Sequence, residues 1–174
     1  MLTRSLLTFA LLVAPAPLLS AQEGYKLPPQ EVVDIIDAPV APSILFSPDK
    51  AWMLQVERAA MPSIADVSRR MLRLAGTRID PAANARYATN FNAGLVLKSM
   101  DGEVERRFAI PEGSRLSSVF WSHNKNHFAY IVIDDKGSNL YAGSAEKRDA
   151  PILITDQLNT VTGGPSFLPD GRTL

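Results

Sequence analysis

Phe46-Ser47-Pro48-Asp49-Lys50 leads directly into the apolar run Ala51-Trp52-Met53-Leu54. An apolar residue runs into a polar turn and out into a second strand. Proline presets the first turn position, and Asp, Asn or Gly suits the next ones. The phrase returns as Phe120-Trp121-Ser122-His123-Asn124-Lys125 before His127-Phe128-Ala129-Tyr130, and again as Phe167-Leu168-Pro169-Asp170-Gly171-Arg172. A hairpin repeated at long intervals is the pattern of a propeller-like array.

The β rhythm continues through Gly94 to Leu97, an Asp101-Gly102 turn, and Val104 to Ile110. Asp-Gly between two strand-like runs is a strong hairpin signal. A second unit begins at Leu116, passes the recurring phrase, and continues through Phe128 to Ile133, an Asp134–Gly137 turn, Asn139 to Ala142, and Ile152 to Ile154. Gly163 to Phe167 opens a third. The expected fold is all-β, a partial β-propeller of about two blades plus the start of a third, since a blade of four strands takes roughly 40–50 residues. Residues 43–174 form this incomplete propeller. Too few copies are present to close a ring, so the chain is expected to be a fragment of a longer protein.

Two segments break the β pattern. After the first hairpin, Ser63 and Asp66 have the spacing of a capping box. Ile64, Val67, Met71 and Leu74 then recur at helical spacing, with Arg69, Arg70 and Arg73 opposite them and Gly76 placed to end the helix. This predicts a helical insertion at 61–76. Before the first hairpin, residues 22–42 read as a lead-in segment. Pro29 and Glu31 suit the start of a short helix over Gln30 to Asp37, and Pro39 and Pro42 then hold the chain extended.

Residues 1–21 carry Arg4, a short apolar core from Ser5 to Val13, and small residues ending at Ala21. They read as a secretory signal peptide, which predicts an exported protein, periplasmic or secreted, with no membrane attachment after cleavage. The chain has no cysteine, so disulfide frameworks and lipid-modified cysteine anchors are excluded. Its 18 basic residues balance 18 acidic ones, so no global field favours nucleic acid or an anionic membrane.

A catalytic constellation is absent from the sequence: there is no Gly-x-Ser-x-Gly elbow, no cysteine nucleophile and no phosphate-cradling loop. His123 and His127 stand four apart across a turn with no third ligand, so no metal site and no cofactor is expected. Trp52 and Trp121 flank the repeated turn and are expected to pack between blades or at a blade edge. Arg69, Arg70 and Arg73 are the candidate substrate-binding residues. As a basic stripe they make an ordinary solvated helix face; if the insertion overhangs an active site, they meet an acidic side chain or carboxylate.

The lead-in Tyr25-Lys26-Leu27-Pro28-Pro29-Gln30-Glu31-Val32-Val33-Asp34-Ile35-Ile36-Asp37-Ala38-Pro39, the Phe46-Ser47-Pro48-Asp49 turn, Leu72-Arg73-Leu74-Ala75-Gly76-Thr77-Arg78-Ile79-Asp80-Pro81 and Trp121-Ser122 together resemble one family. The chain resembles the N-terminal propeller region of exported serine peptidases of the prolyl oligopeptidase family, glutamyl endopeptidase-like branch. The resemblance implies a propeller that gates and shapes access of peptide substrates to a C-terminal α/β-hydrolase domain carrying Ser, Asp and His. No residue here matches the motif around those catalytic residues. It therefore implies a chain that is inactive alone, whose partner is peptide substrate reached through the missing catalytic domain. The alternative expectation is a non-enzymatic periplasmic binding propeller, which shares the turn phrase, and a third is a small β protein that hides its edges by self-association.

Overall fold

A computed structural model describes residues 26–174. The expected signal peptide at 1–21 and the first residues of the lead-in lie outside the described residues. The described elements, in chain order, are α1 (Gln30–Ile36), β1 (Ser43–Phe46), β2 (Trp52–Arg58), α2 (Ile64–Val67), β3 (Leu72–Leu74), β4 (Thr77–Asp80), β5 (Ala85–Arg86), β6 (Asn92–Ser99), β7 (Glu105–Phe108), β8 (Arg115–Trp121), β9 (His127–Asp134), β10 (Gly137–Ser144) and β11 (Ile152–Thr155). The lead-in helix α1 forms where Pro29 and Glu31 place it, with Gln30 donating to Asp34 one turn on at 2.8 Å. It belongs to a unit separate from Asp37–Leu174, and none of its residues is buried.

The larger unit is antiparallel β, as the sequence predicts. β1, β2, β6 and β7 pair in succession as one four-stranded meander, and β8, β9, β10 and β11 as a second. One residue pair, Asn92 with Leu116, joins the two ladders. Between the meanders lies the main core. Leu54 and Val56 of β2 and Leu95 and Leu97 of β6 meet Leu116, Phe128, Tyr130 and Val132 of the second meander. Phe108 sits 5.4 Å from Phe128, centroid to centroid, and Tyr130 stacks on Tyr141 at 5.3 Å. Trp52 and Trp121 both pack against this core, and the Trp121 indole donates to the Leu45 carbonyl at 2.9 Å. β9 is apolar without a break from Phe128 to Ile133 because its other face is covered too. Ala129, Ile131 and Ile133 form a second cluster with Leu140, Ala83, Ala85 and Phe167.

The recurring phrase builds one six-residue turn. Ser47 N–H donates to the Trp52 carbonyl at 2.9 Å, and Lys50 N–H to the Ser47 carbonyl at 3.0 Å. The Asp49 carboxylate accepts from the Ser47 hydroxyl at 2.6 Å and from Ala51 N–H at 2.9 Å. Ser99 to Val104 repeats every one of these bonds, with Asp101 as the carboxylate. This is a copy that the sequence shows only as an Asp-Gly hairpin. Leu168 to Thr173 is another, in which the Thr173 hydroxyl replaces the missing serine and donates to Asp170. Gly102 and Gly171 take left-handed backbone, as does Lys50 in the first copy. In the Ser122–His127 copy Asn124 leaves its own turn and donates to the Pro169 carbonyl at 2.9 Å. Equivalent turns thus touch: Asn126 donates to Asp49 at 2.6 Å, and His127 Nδ1 lies 3.1 Å from the Gly171 carbonyl.

The insertion departs from the expectation. A helix does start at Ser63, with the capping box closed by Asp66, but it spans only Ile64–Val67 and ends at Ser68. The predicted helix at 61–76 is therefore corrected from residue 68 onward: Leu72–Leu74 is strand. Ala75 and Gly76 both have positive φ, 47° and 84°, which is the two-residue hairpin turn that matches strand twist. β3, β4 and β5 pair as a small antiparallel sheet. The alternation Leu72-Arg73-Leu74 and Thr77-Arg78-Ile79 around Ala75-Gly76 decides the local structure over the weaker helical spacing.

Two outcomes follow for the turns. At Gly171, φ is 67° and an added Cβ would lie 1.8 Å from Asn124 Oδ1 and 2.8 Å from Ser122 Oγ, whereas at Gly102 the space is open. Gly102→Ala is expected to cost about 1–2 kcal/mol from left-handed backbone alone, and Gly171→Ala clearly more, compared by urea unfolding. The Thr173 hydroxyl, then the Thr173 and Arg172 amides, hold the Asp170 carboxyl at about 2. The Ser47 and Ser99 hydroxyls likewise lower Asp49 and Asp101. A depressed carboxyl contributes its stability in full above the unfolded value of about 4 and loses it as pH falls through the folded value. Asp170→Asn should therefore destabilise at neutral pH, with the difference from the native chain shrinking between about pH 4 and pH 2.

Candidate functional site

The three candidate arginines have different fates. Arg69 lies just past α2, Arg70 two residues before β3, and Arg73 in the middle of β3. The stripe expected on one helix face is not formed, because the helix ends at Val67. Arg69 turns inward. Its guanidinium pairs with the Asp80 carboxylate and donates to the Ala88 carbonyl at 2.6 Å. It also lies over the Tyr87 and Phe91 rings, 5.5 and 5.1 Å from their centroids. Asp80 is buried; its other oxygen accepts from the Ala82 and Ala83 amides. Both partners are therefore fully engaged, and Arg69 holds the insertion together instead of facing a ligand. Arg70 and Arg73 are exposed.

A second ion pair anchors the insertion to the body. Arg115 of β8 pairs with Asp66 and lies over the Phe91 ring. Burial pushes the Asp66 carboxyl up, but the Ser63 hydroxyl and Arg115 outweigh it and hold the group below its ordinary value. The Tyr87 hydroxyl donates to the Val67 carbonyl at 2.9 Å. Farther along, the Ser138 hydroxyl donates to Ala83 O at 2.6 Å, Thr160 N–H to Asn84 O at 2.8 Å, and Arg86 Nε to Val161 O at 2.9 Å. The insertion leaves the first meander and is fastened along the second. Loop residues held on a rigid scaffold are where binding sites commonly sit.

Sequence reasoning missed Arg78, Asp80, Tyr87, Phe91 and Arg115. Arg78 was legible, because Ala75-Gly76 between alternating runs marks a hairpin that sets residues 73 and 78 opposite each other. The partners of Arg69 and Arg115 come from distant sequence and carry no local signal.

Two clefts open on the second meander, away from these arginines. One, of about 480 Å³, is lined by His127, Ser144, Lys147, Asp149, Ile152 and Arg172, among others. The other, of about 370 Å³, lies between Phe120, Trp121, His123, Pro165 and Phe167. His127 and Ser144 are directly opposed across β9 and β10, but His127 Nδ1 is directed at the Gly171 carbonyl. Among the described residues no group of three or more His, Cys, Asp or Glu side chains is placed to hold a metal ion, and no helix is long and apolar enough to cross a membrane.

No family model and no solved structure matches the chain. Two curated proteins do. The chain is 39% identical over 125 residues to a probable glutamyl endopeptidase, chloroplastic, of Oryza sativa subsp. japonica, a match covering 69% of this chain and 13% of that protein. It is 38% identical over 121 residues to the protein of the same name from Arabidopsis thaliana, covering 67% and 13%. The chain thus matches 13% of the length of these relatives, and its similarity is to proteins with peptidase names.

The internal role of Arg69 has a measurable consequence. Arg69→Ala leaves the buried Asp80 carboxylate without its counter-charge, a change that costs about 3–5 kcal/mol in comparable sites. Limited proteolysis is expected to cut within residues 59–91 before the meanders are attacked. Arg69→Lys should rescue only in part, because a compact ammonium cannot stack on both rings and reach the Ala88 carbonyl.

Proposed function

We propose that this chain is the opening part of a β-propeller in an exported serine peptidase of the prolyl oligopeptidase family, close to the glutamyl endopeptidase-like branch. Its two meanders act as the first two blades, and Phe167 to Thr173 as the first turn of a third. The propeller gates and shapes peptide access to an α/β-hydrolase domain that belongs to the longer protein. The observation that carries the reading is the chain of touching turns. Asp49, Asn126, Asn124 and Pro169 link three equivalent turns side by side, as successive units around a common axis require.

Pairing Ser47 with Ser122 strengthens it. Leu54 and Val56, which bury against the second meander, then correspond to Ala129 and Ile131, which sit on the second meander's far face beneath Phe167. Each unit offers its successor the same apolar face. The peptidase assignment rests on the named relatives. Their name also suggests substrates bearing glutamate. The leader over residues 1–21 supports export, which recovery of the mature protein with a new N-terminus after Ala21 would establish.

Cleavage is the test. The longer protein that begins with this chain is assayed on short glutamate-containing reporter peptides, with and without a serine-directed inhibitor, beside the 174-residue chain alone. Inhibitor-sensitive turnover by the longer protein, and none by the chain alone, is expected. Turnover by the isolated chain, or a longer protein that ends in blades and cleaves nothing, would overturn the reading; the latter would make it a binding propeller.

A further inference from the structure

We propose that the outer edge of the β3–β4 hairpin binds extended acidic peptide segments, with Arg73 and Arg78 as paired carboxylate ligands and the backbone of β3 as the pairing edge. The inference deepens the peptide-handling reading above and rests on it for its biological setting, but it stands on its own geometry.

Charge comes first. Residues 59–91 hold five arginines, no lysine and two aspartates, a net charge of +3 in a chain whose total is zero. Both aspartates are already occupied, Asp80 by Arg69 and Asp66 by Arg115. Arg86 is turned away to the Val161 carbonyl. That leaves Arg70, Arg73 and Arg78, all exposed and, among the described residues, without an acidic partner.

The register then sets two of these charges against each other. Arg73 and Arg78 are direct partners across β3 and β4, so their side chains leave the same face from Cβ atoms about 4.5–5.5 Å apart. Like charges so placed repel, and folding alone gives no reason to keep two of them there. A carboxylate between them removes the repulsion and meets two planar donor forks, the geometry in which arginine outperforms lysine.

The sheet order decides what carries the carboxylate. In the order β3-β4-β5, β3 is an edge, and all three of its residues are exposed. An extended peptide can add to such an edge through main-chain hydrogen bonds, and its side chains then alternate between the faces. An acidic residue at every second position would fall on the Arg73–Arg78 face. The platform is rigid, since the insertion is fastened through Arg69, Arg115, Ser138 and Arg86. Little ordering is therefore required when a peptide docks.

Fluorescence polarisation of the full chain with a short labelled peptide of alternating Glu and Thr tests this without any catalytic readout. Binding by the native chain is expected, with no comparable binding of the Gln-Thr counterpart. The double variant Arg73→Gln/Arg78→Gln should weaken binding about tenfold or more, while its melting temperature stays level or rises because opposed like charges are gone. Arg58→Gln, an exposed arginine of β2 outside the insertion, should leave affinity unchanged. Equal binding of the Gln-Thr peptide, undiminished binding by the double variant, an equal loss with Arg58→Gln, or displacement by inorganic phosphate at concentrations that only a simple anion patch explains would each overturn the proposal. Because cleavage is assayed separately, failure here leaves the peptidase reading standing, and failure there leaves this surface standing.

Discussion

A side chain that folds back on its own turn is the constraint from which the rest of the molecule is laid out. When Asp49 accepts from the Ser47 hydroxyl and the Ala51 amide, the four-residue loop has one geometry and the flanking strands one register. A slip of a single residue would send Leu54 and Val56 to the opposite face. Because the same turn opens each unit, the same positions point the same way in each. Residues far apart in sequence can then form one continuous core without any long-range covalent restraint, which a chain lacking cysteine needs. The variations are informative. Where Leu168 replaces serine, Thr173 supplies the hydroxyl from the other end of the loop. Asn124, freed from its own turn, reaches the neighbouring one.

From that register follows the difference between the two central strands. β2 buries Leu54 and Val56 on one side, with Met53, Gln55 and Glu57 on the other, so it needs one fully covered face. β9 is apolar on both, so it needs two. The first meander covers one, and Ala83, Ala85, Leu158 and Phe167 contribute to the other. The insertion is thus part of the packing of the second meander, although the chain delivers it from the first. This explains why its fastenings lie on β8, β10 and residues 158–161 rather than on the strands it leaves.

Most strands were legible in the sequence because their signals are local. Alternating or continuous apolar runs between Ser-Pro-Asp, Asp-Gly and Asp-Asp-Lys-Gly turns give β1, β2 and β6 to β10 to within two residues at each end, with β6 and β10 read at half their length. The insertion was misread for a physical reason. Ile64, Val67, Met71 and Leu74 satisfy a helical period, but Leu72 and Leu74 also satisfy a strand period, and short segments seldom separate the two. Ala75-Gly76 broke the tie in favour of a hairpin, since both residues take positive φ. The fourth copy of the turn, at Ser99, was hidden because Lys98 stands where the other copies carry an aromatic residue and Asp101-Gly102 already reads as a plain hairpin; its hydrogen bonds reveal it.

The candidate site shows where such reading ends. Arg69, Arg70 and Arg73 look alike as letters, and only three-dimensional partners separate them. Asp80 captures Arg69 from eleven residues away, where Tyr87 and Phe91 provide its walls. Arg73 meets no acid and is set against Arg78 by the hairpin register. One arginine thereby becomes part of the framework, while the other is presented by it. The two roles are linked, because the buried pair holds the hairpin on which the exposed pair stands. Asp80 lies two residues beyond Arg78 on β4, so the carboxylate that neutralises Arg69 also leaves Arg78 uncompensated one pleat away. The proposed site for an external carboxylate rests on the internal carboxylates of the insertion being already taken.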